Sequence, residues 1–223
     1  MTNWVCVIIL PTGKSVILEK QENMAPRIVD KEEKKRQIIN SAMSVFAKNG
    51  LYNSKMVDIA EAAGIGKGTI YEYFKSKEDI FLEAFEYFMK DMETELAKKL
   101  FRITDPAEKI VAIIEVFFGT FESFHDSLFV MFDFWAEGIR KRDKRMEELL
   151  KKVYHEYREF MSAILEEGKE KNIFRDIDSN MIASSIVGAM DGLILQWIIF
   201  GHDYNVHHAL EEFKNMVLMG IRK

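Results

Sequence analysis

Asp58-Ile-Ala-Glu-Ala-Ala-Gly-Ile-Gly-Lys-Gly-Thr-Ile-Tyr-Glu-Tyr-Phe74 decides how this chain is read. It contains two short runs of helical periodicity separated by Gly64-Ile65-Gly66. Ile59, Ile65 and Ile70 fall where they can meet beneath two short helices and fix their angle. Ala60 is small where the helices must approach, and Gly64 gives the turn an unhindered backbone. The spacing predicts a helix-turn-helix.

Upstream, Asp30 and Glu33 make a capping-box pattern, and Ile38, Ile39, Ala42, Met43 and Phe46 recur at helical spacing. Gly50 is expected to end that helix, and Ser54 to cap the short second one. Downstream, Lys67 to Phe74 reads as a third helix, and Ser76 with Asp79 caps a fourth running from Lys77 towards Leu100. Asp105-Pro-Ala-Glu108 joins a cap, a proline at the first helical position and a capping-box glutamate. Further helices are expected over 106–122, 127–137, 144–167, 179–200 and 206–221, broken at Gly138, Gly168 and Gly201.

The only prolines are Pro11, Pro26 and Pro106, so long stretches are free of the residue that breaks helix interiors. The chain reads as all-α with about nine helices. Residues 1–23 differ: Trp4 to Leu10 and Ser15 to Glu19 are β-prone, with Pro11-Thr-Gly-Lys14 as a turn between them. A lone hairpin is marginal in water. The segment therefore docks, pairs with a partner, stays loose, or lies ahead of a start at Met24.

With 223 residues, 48% hydrophobic and 30% charged, the composition is neither disordered nor membrane-embedded. No apolar run approaches the roughly 18 residues of a membrane-spanning helix, and a cytoplasmic location is the default. The single cysteine, Cys6, excludes an internal disulfide and a cysteine-based zinc site within one chain. From Pro26 to Glu78, ten basic residues oppose seven acidic ones, while the rest of the chain is acidic and the whole carries −5. A basic front end on an acidic body fits a protein that meets a polyanion with one end, although ordinary scatter gives the same asymmetry.

The flanking blocks sharpen the picture. Gly50-Leu-Tyr-Asn-Ser54, Asp58 to Gly64, Lys67 to Phe74 and Lys75-Ser-Lys-Glu-Asp-Ile80 follow one another without gaps. Together with Ile38, Ile39, Ala42 and Phe46 they resemble the DNA-binding domain of the tetracycline-repressor (TetR) family over residues 31–80. Behind the extension at 1–23, the resemblance implies a helix-turn-helix domain at 24–76 and a ligand-binding and dimerisation domain at 77–223. It implies a repressor released from a palindromic operator by a small hydrophobic effector, acting as a homodimer joined through its last two helices; no cofactor and no metal are expected.

In such a protein Lys67, at the start of the recognition helix, pairs with a phosphate, and Gly68 lets the backbone close on base edges. Thr69 offers a hydroxyl to a base and a methyl to thymine. Tyr71 and Tyr73 reach phosphate or sugar, Lys77 adds a further phosphate contact, and Ser54 and Lys55 touch the far side of the groove. Gly66 stands where the family often has serine, and Glu72 where many relatives are neutral or aromatic. Both leave the operator sequence open.

For the effector, Phe121, Phe124, Phe132, Trp135, Tyr154, Tyr157, Met190 and Trp197 are the candidate lining, with Phe117, Phe160 and Met161 able to share that interior. Aromatic and methionine walls suit a flat or greasy molecule, although for any single residue a packed core is the commoner reason. His125, Asp133, Asp191 and Gln196 are candidate polar groups for orienting it.

Enzyme classes find little support. Glu122-Ser-Phe-His125 is a single Glu-x-x-His where a di-iron bundle needs two. His202, His207 and His208 cluster near a turn and could bind a metal ion, but neighbouring surface histidines are far more often plain solvated residues. No nucleophile with its base, phosphate loop or dinucleotide fingerprint appears. The competing class is a helical small-molecule or lipid carrier, which has no use for Lys67, Tyr71 and Lys77.

Overall fold

The computed structural model describes residues 6–9, 15–18, 26–123, 128–140, 143–201 and 205–223. Two short strands, β1 (Cys6–Ile9) and β2 (Ser15–Leu18), pair antiparallel with Cys6 opposite Leu18. The expected turn residues 11–14, Met24, Phe124, His125 and His202 lie outside the described residues.

The helices are α1 (Pro26–Asn53), α2 (Met56–Ala62), α3 (Lys67–Tyr73), α4 (Lys77–Leu100), α5 (Pro106–Ser123), α6 (Leu128–Arg140), α7 (Lys144–Glu170), α8 (Ser179–Ile199) and α9 (Val206–Ile221). Several boundaries follow from caps. The Asp105 carboxylate accepts from the Ala107 amide at 2.7 Å where Pro106 opens α5. Asp178 accepts from the amides of Asn180 and Met181 at the start of α8, and Asn205 from that of His208 at the start of α9.

Three expectations about helix ends need correction. Pro26 begins α1, so Asp30 lies inside it rather than capping it. Ser54 does not cap α2: its hydroxyl donates to the Gly50 carbonyl at 2.7 Å, while the Asp58 carboxylate accepts from the Lys55 amide at 3.1 Å. Gly138 and Gly168 are helical, within α6 and α7. By contrast Gly50 does interrupt α1, with φ 73°.

The chain divides into two compact units. Of the described residues, the first holds 26–91, 128–140 and 143–150 and the second 6–9, 15–18, 92–123, 151–201 and 205–223, so two of the boundaries fall inside α4 and α7. The helix-turn-helix therefore belongs to a larger body than residues 24–76. The reason is aromatic packing: Phe81 meets Phe46 edge-on at 5.7 Å, and Phe134 stacks on Phe85 at 4.0 Å. At the α1 break, the freed Leu51 amide donates to the Asp133 carboxylate at 2.8 Å, tying α6 to α1. Arg145 donates to Asp79 at 2.6 Å and to Asp143 at 2.7 Å, linking the starts of α7 and α4.

In the second unit Lys109 pairs with Glu167 at 2.7 Å, and Lys214, nearly buried, pairs with Glu115 at 2.9 Å and Glu211 at 2.7 Å. Among the described residues α8 is the one helix long and apolar enough to cross a membrane by length and composition. Ser184, Ser185, Asp191 and Gln196 interrupt its sequence, so it holds no unbroken apolar run of that length. One face of α8 buries Ala183, Ile186, Val187, Met190 and Ile194. Met181, Leu195 and Ile199 remain exposed.

Candidate nucleic-acid interface and effector cleft

Between α2 and α3 the chain turns at Gly64, whose φ of 64° lies in the left-handed region that favours glycine. The Ile65 amide donates back to the Ala60 carbonyl at 3.0 Å. Ile59 and Ile70 are fully buried beneath the turn, and the Gln37 side-chain amide donates to the Ala63 carbonyl at 3.1 Å, bracing it against α1. Phe74 is buried at the end of α3, with the Lys35 ammonium 5.5 Å from its ring centre. Lys35 in turn binds Glu83 at 2.6 Å, and this hydrogen bond raises its pKa.

Burial of Ile70 and Phe74 turns the opposite face of α3 outward. Lys67, Gly68 and Glu72 are exposed, Tyr71 is 48% exposed, and Thr69 and Tyr73 are half-buried. No side chain caps the first turn, since Gly66 stands at the N-cap. Its leading amides are therefore left for an outside acceptor, which is how a helix start meets phosphate. Lys55 is exposed at the start of α2.

Two expected contact residues are placed differently. Ser54 is only 2% exposed, and its hydroxyl is engaged by Gly50, which removes it from the outward face. Lys77 is half-buried and donates to the carbonyls of Tyr52 at 2.6 Å and Ser54 at 2.9 Å. It holds the chain between α1 and α2 and has one of its three ammonium protons left for another acceptor. Sequence reading missed this role because 25 residues separate Lys77 from Tyr52.

A narrow apolar cleft of about 40 Å³ lies in the second unit. Its lining includes Met92, Leu96, Phe117, Tyr157, Met161 and Met190. Among the expected lining residues Tyr157 and Met190 are here, whereas Trp197 borders a different cleft with Lys214. Phe121 is buried against Phe117 at 4.6 Å. Phe132 and Trp135, half-buried, pack edge-on at 5.1 Å in the first unit. Asp133 is spent on Leu51, and Gln196 is exposed. Sequence reading missed Met92, Leu96, Ile113 and Val187, whose periodicity looks like any core helix face.

The Tyr157 hydroxyl contacts the Met92 sulfur at 3.6 Å, and burial pushes its pKa far up, so it stays protonated. Tyr154, also half-buried, donates to Asp191 at 2.6 Å. Burial pushes the Asp191 carboxyl up to about 6, against the opposing pull of Tyr154 and Arg158. The folded state thus holds more proton than the unfolded one between the ordinary value of 3.8 and about 6. This contribution to stability is full below pH 3.8 and is lost as pH rises through 6. Asp191→Asn is expected to stabilise the protein at pH 7.5 by up to about 2–3 kcal/mol. The variant should show a smaller fall in melting temperature between pH 4.5 and 7.5 than wild type.

Among the described residues no group of three His, Cys, Asp or Glu side chains could hold a metal ion. Comparison with known proteins agrees with the geometry of the interface. Residues 38–84 match the model of bacterial regulatory proteins of the tetR family, and residues 106–218 match that of the BetI-type transcriptional repressor C-terminal domain. The fatty acid metabolism regulator protein of Bacillus subtilis is 26% identical over 196 residues, covering 86% of this chain and 97% of its own. The transcriptional repressor KstR2 of Mycolicibacterium smegmatis is 26% identical, covering 89% and 96%.

Among solved structures, a putative transcriptional regulator from Saccharomonospora viridis in complex with choline aligns with a TM-score of 0.78 at 25% identity, covering 86% of this chain and 99% of that one. FadR from Bacillus subtilis in complex with stearoyl-CoA aligns at 0.72 and 25% identity, covering 84% and 99%. Both parts of the chain thus match regulators, and its two short helices bury Ile59 and Ile70 while presenting Lys67 and Tyr71. The chain belongs to the TetR family of bacterial regulatory proteins and is a DNA-binding transcriptional regulator.

Proposed function

We propose that this protein is a homodimeric repressor, displaced from a palindromic operator when a small apolar effector enters the cleft lined by Met92, Leu96, Tyr157 and Met190. The outward face of α3, with Lys67 and Tyr71 exposed over a buried Ile70, carries the DNA side of this reading. The apolar lining and its methionines carry the effector side. The stearoyl-CoA bound by FadR of Bacillus subtilis is in keeping with an effector that has an apolar body.

The cleft is far smaller than the roughly 300–1,000 Å³ of ordinary ligand pockets. Binding must therefore part its walls, and Met92 and Leu96 are residues of α4. The same helix begins at Lys77, which grips the carbonyls next to the helix-turn-helix. Displacing α4 at one end changes how it supports the DNA-reading helices at the other. Moving such a two-state equilibrium from 1:99 to 99:1 requires a differential affinity of about 5.5 kcal/mol.

The dimer reading draws on Met181, Ile199, Phe200, Met216 and Met219, all exposed and all on α8 or α9 or immediately beside them. Two half-sites about 34–36 Å apart need two symmetry-related recognition helices.

Sequencing the duplexes selected from a random pool tests the reading: a palindrome is expected, and a protein indifferent to duplexes in dilute buffer ends it. On the selected operator, Lys67→Ala is expected to weaken binding of all sequences several-fold and to lower the salt slope by about one. Thr69→Ala should alter base preference instead. The measurement is fluorescence anisotropy across a salt series.

A further inference from the structure

A larger cavity, about 270 Å³, lies in the first unit between α1, α4 and α6, and it shares no lining residue with the apolar cleft. Phe81, Phe85 and Phe88 from α4 and Met43 from α1 supply its apolar walls. Polar groups collect on it as well: Asn40, Ser44, Tyr87 and Asp91. Among its lining residues the single ionic side chain is the carboxylate of Asp91, with no lysine or arginine. Aromatic rings beside a carboxylate, with no cationic side chain in the lining, suit an organic cation, because ring faces and carboxylate both attract positive charge. An anionic ligand would meet the Asp91 charge with no cationic side chain in the lining to offset it.

The neighbourhood already shows this preference. The Arg36 guanidinium lies 5.6 Å from the centre of the Tyr87 ring, and the Tyr87 hydroxyl approaches Glu32 at 3.4 Å. Burial, followed by the charges of Glu32 and Glu83, raises the pKa of that hydroxyl against the opposing charges of Lys35 and Arg36, so Tyr87 stays neutral.

We propose that the cavity between α1, α4 and α6 is a second small-molecule site that takes an organic cation with a compact aromatic body, its positive group at Asp91 and Tyr87 and its body against Phe81, Phe85 and Phe88. This goes beyond the apolar effector proposed above and does not depend on it. Two of the three helices that wall the cavity, α1 and α4, also flank the helix-turn-helix, so the site sits inside the DNA-reading unit itself.

The test uses the full-length protein without DNA, with methionine methyl groups carbon-13 labelled and Met43 and Met131, both cavity residues, assigned by Met→Leu variants. Benzyltrimethylammonium is titrated against neopentylbenzene, the same shape with carbon in place of charged nitrogen. The cation is expected to shift the Met43 and Met131 signals saturably, and to bind at least about fivefold more tightly than its neutral twin. Asp91→Asn, at an exposed position, should cost about fivefold in affinity for the cation alone. Ser44→Phe, filling the cavity from its exposed rim, should abolish the shifts. Equal binding of the two probes, indifference to either substitution, or shifts confined to Met92, Met161 and Met190 would each overturn the proposal. None of these readouts involves an operator, so a failed duplex selection leaves the result standing, and the converse holds too.

Discussion

Replacing Ile199 and Met219 together by glutamate is expected to yield a folded monomer whose operator affinity is at least about a hundredfold below wild type. Ile199 is 66% exposed and Met219 78% exposed, at the end of α8 and near the end of α9. Within one chain these side chains bury little, so a polar replacement there costs the monomer about 0.5 kcal/mol or less. If the two helices meet their counterparts on a second copy, four carboxylates enter an apolar interface, at several kcal/mol each. The dimer does not survive that. Each half-site is then bound separately, and the effective concentration that links two heads on one duplex is lost. Light scattering after size exclusion reads the mass, circular dichroism the fold, and anisotropy the affinity. A variant that stays dimeric, or a monomer that binds as wild type does, would remove the homodimer from the proposed function.

The parts of this molecule that were legible in the sequence are those governed by neighbours along the chain. Gly64 sits between two short periodic runs, and the turn there needs its left-handed backbone. Asp105 and Pro106 specify the start of α5 by a cap and a preset φ, both local. Helix counts and most spans follow for the same reason. What the sequence concealed is set by partners far along the chain. Ser54 looks like a helix cap, yet Lys77 and Gly50 use that segment otherwise, and only the folded geometry shows it. Asp133 looks like a polar group awaiting a ligand, but the α1 break 82 residues earlier exposes the amide it accepts from.

The effector lining was harder still. Every aromatic or methionine on a helical stripe is apolar enough for a pocket and for a core, and periodicity does not choose between them. Tyr157 and Met190 line the apolar cleft, while Phe132 and Trp135 pack in the other unit. The same ambiguity hid the cavity at Asp91, whose walls read as the inner faces of α1 and α4.

Gly168→Ala is expected to destabilise the protein by about 3 kcal/mol, although alanine is the better helix former by about 1 kcal/mol. The position is helical, so sequence statistics alone favour the change. Packing opposes it, because a Cβ built at Gly168 would lie 2.0 Å from one carbon of the Phe174 ring and 2.1 Å from another. Phe174 is 1% exposed, and its ring has little room to retreat. Its backbone is held as well: the amides of Ile173 and Phe174 both donate to the Gly168 carbonyl, at 2.9 and 3.0 Å. The residue that takes the left-handed turn ending α7 is Asn172, with φ 57°, so the glycine is there for the ring's sake. Overpacking against an immobile ring outweighs helix propensity, and for a chain of this size the loss corresponds to roughly 6–12 °C in melting temperature. Shrinking the partner separates this cause from any other. In a Phe174→Leu background the same glycine substitution should cost at least about 1 kcal/mol less, a coupling that a double-mutant cycle reads directly. Equal cost in both backgrounds would mean that the ring contact is not what keeps a glycine at this position.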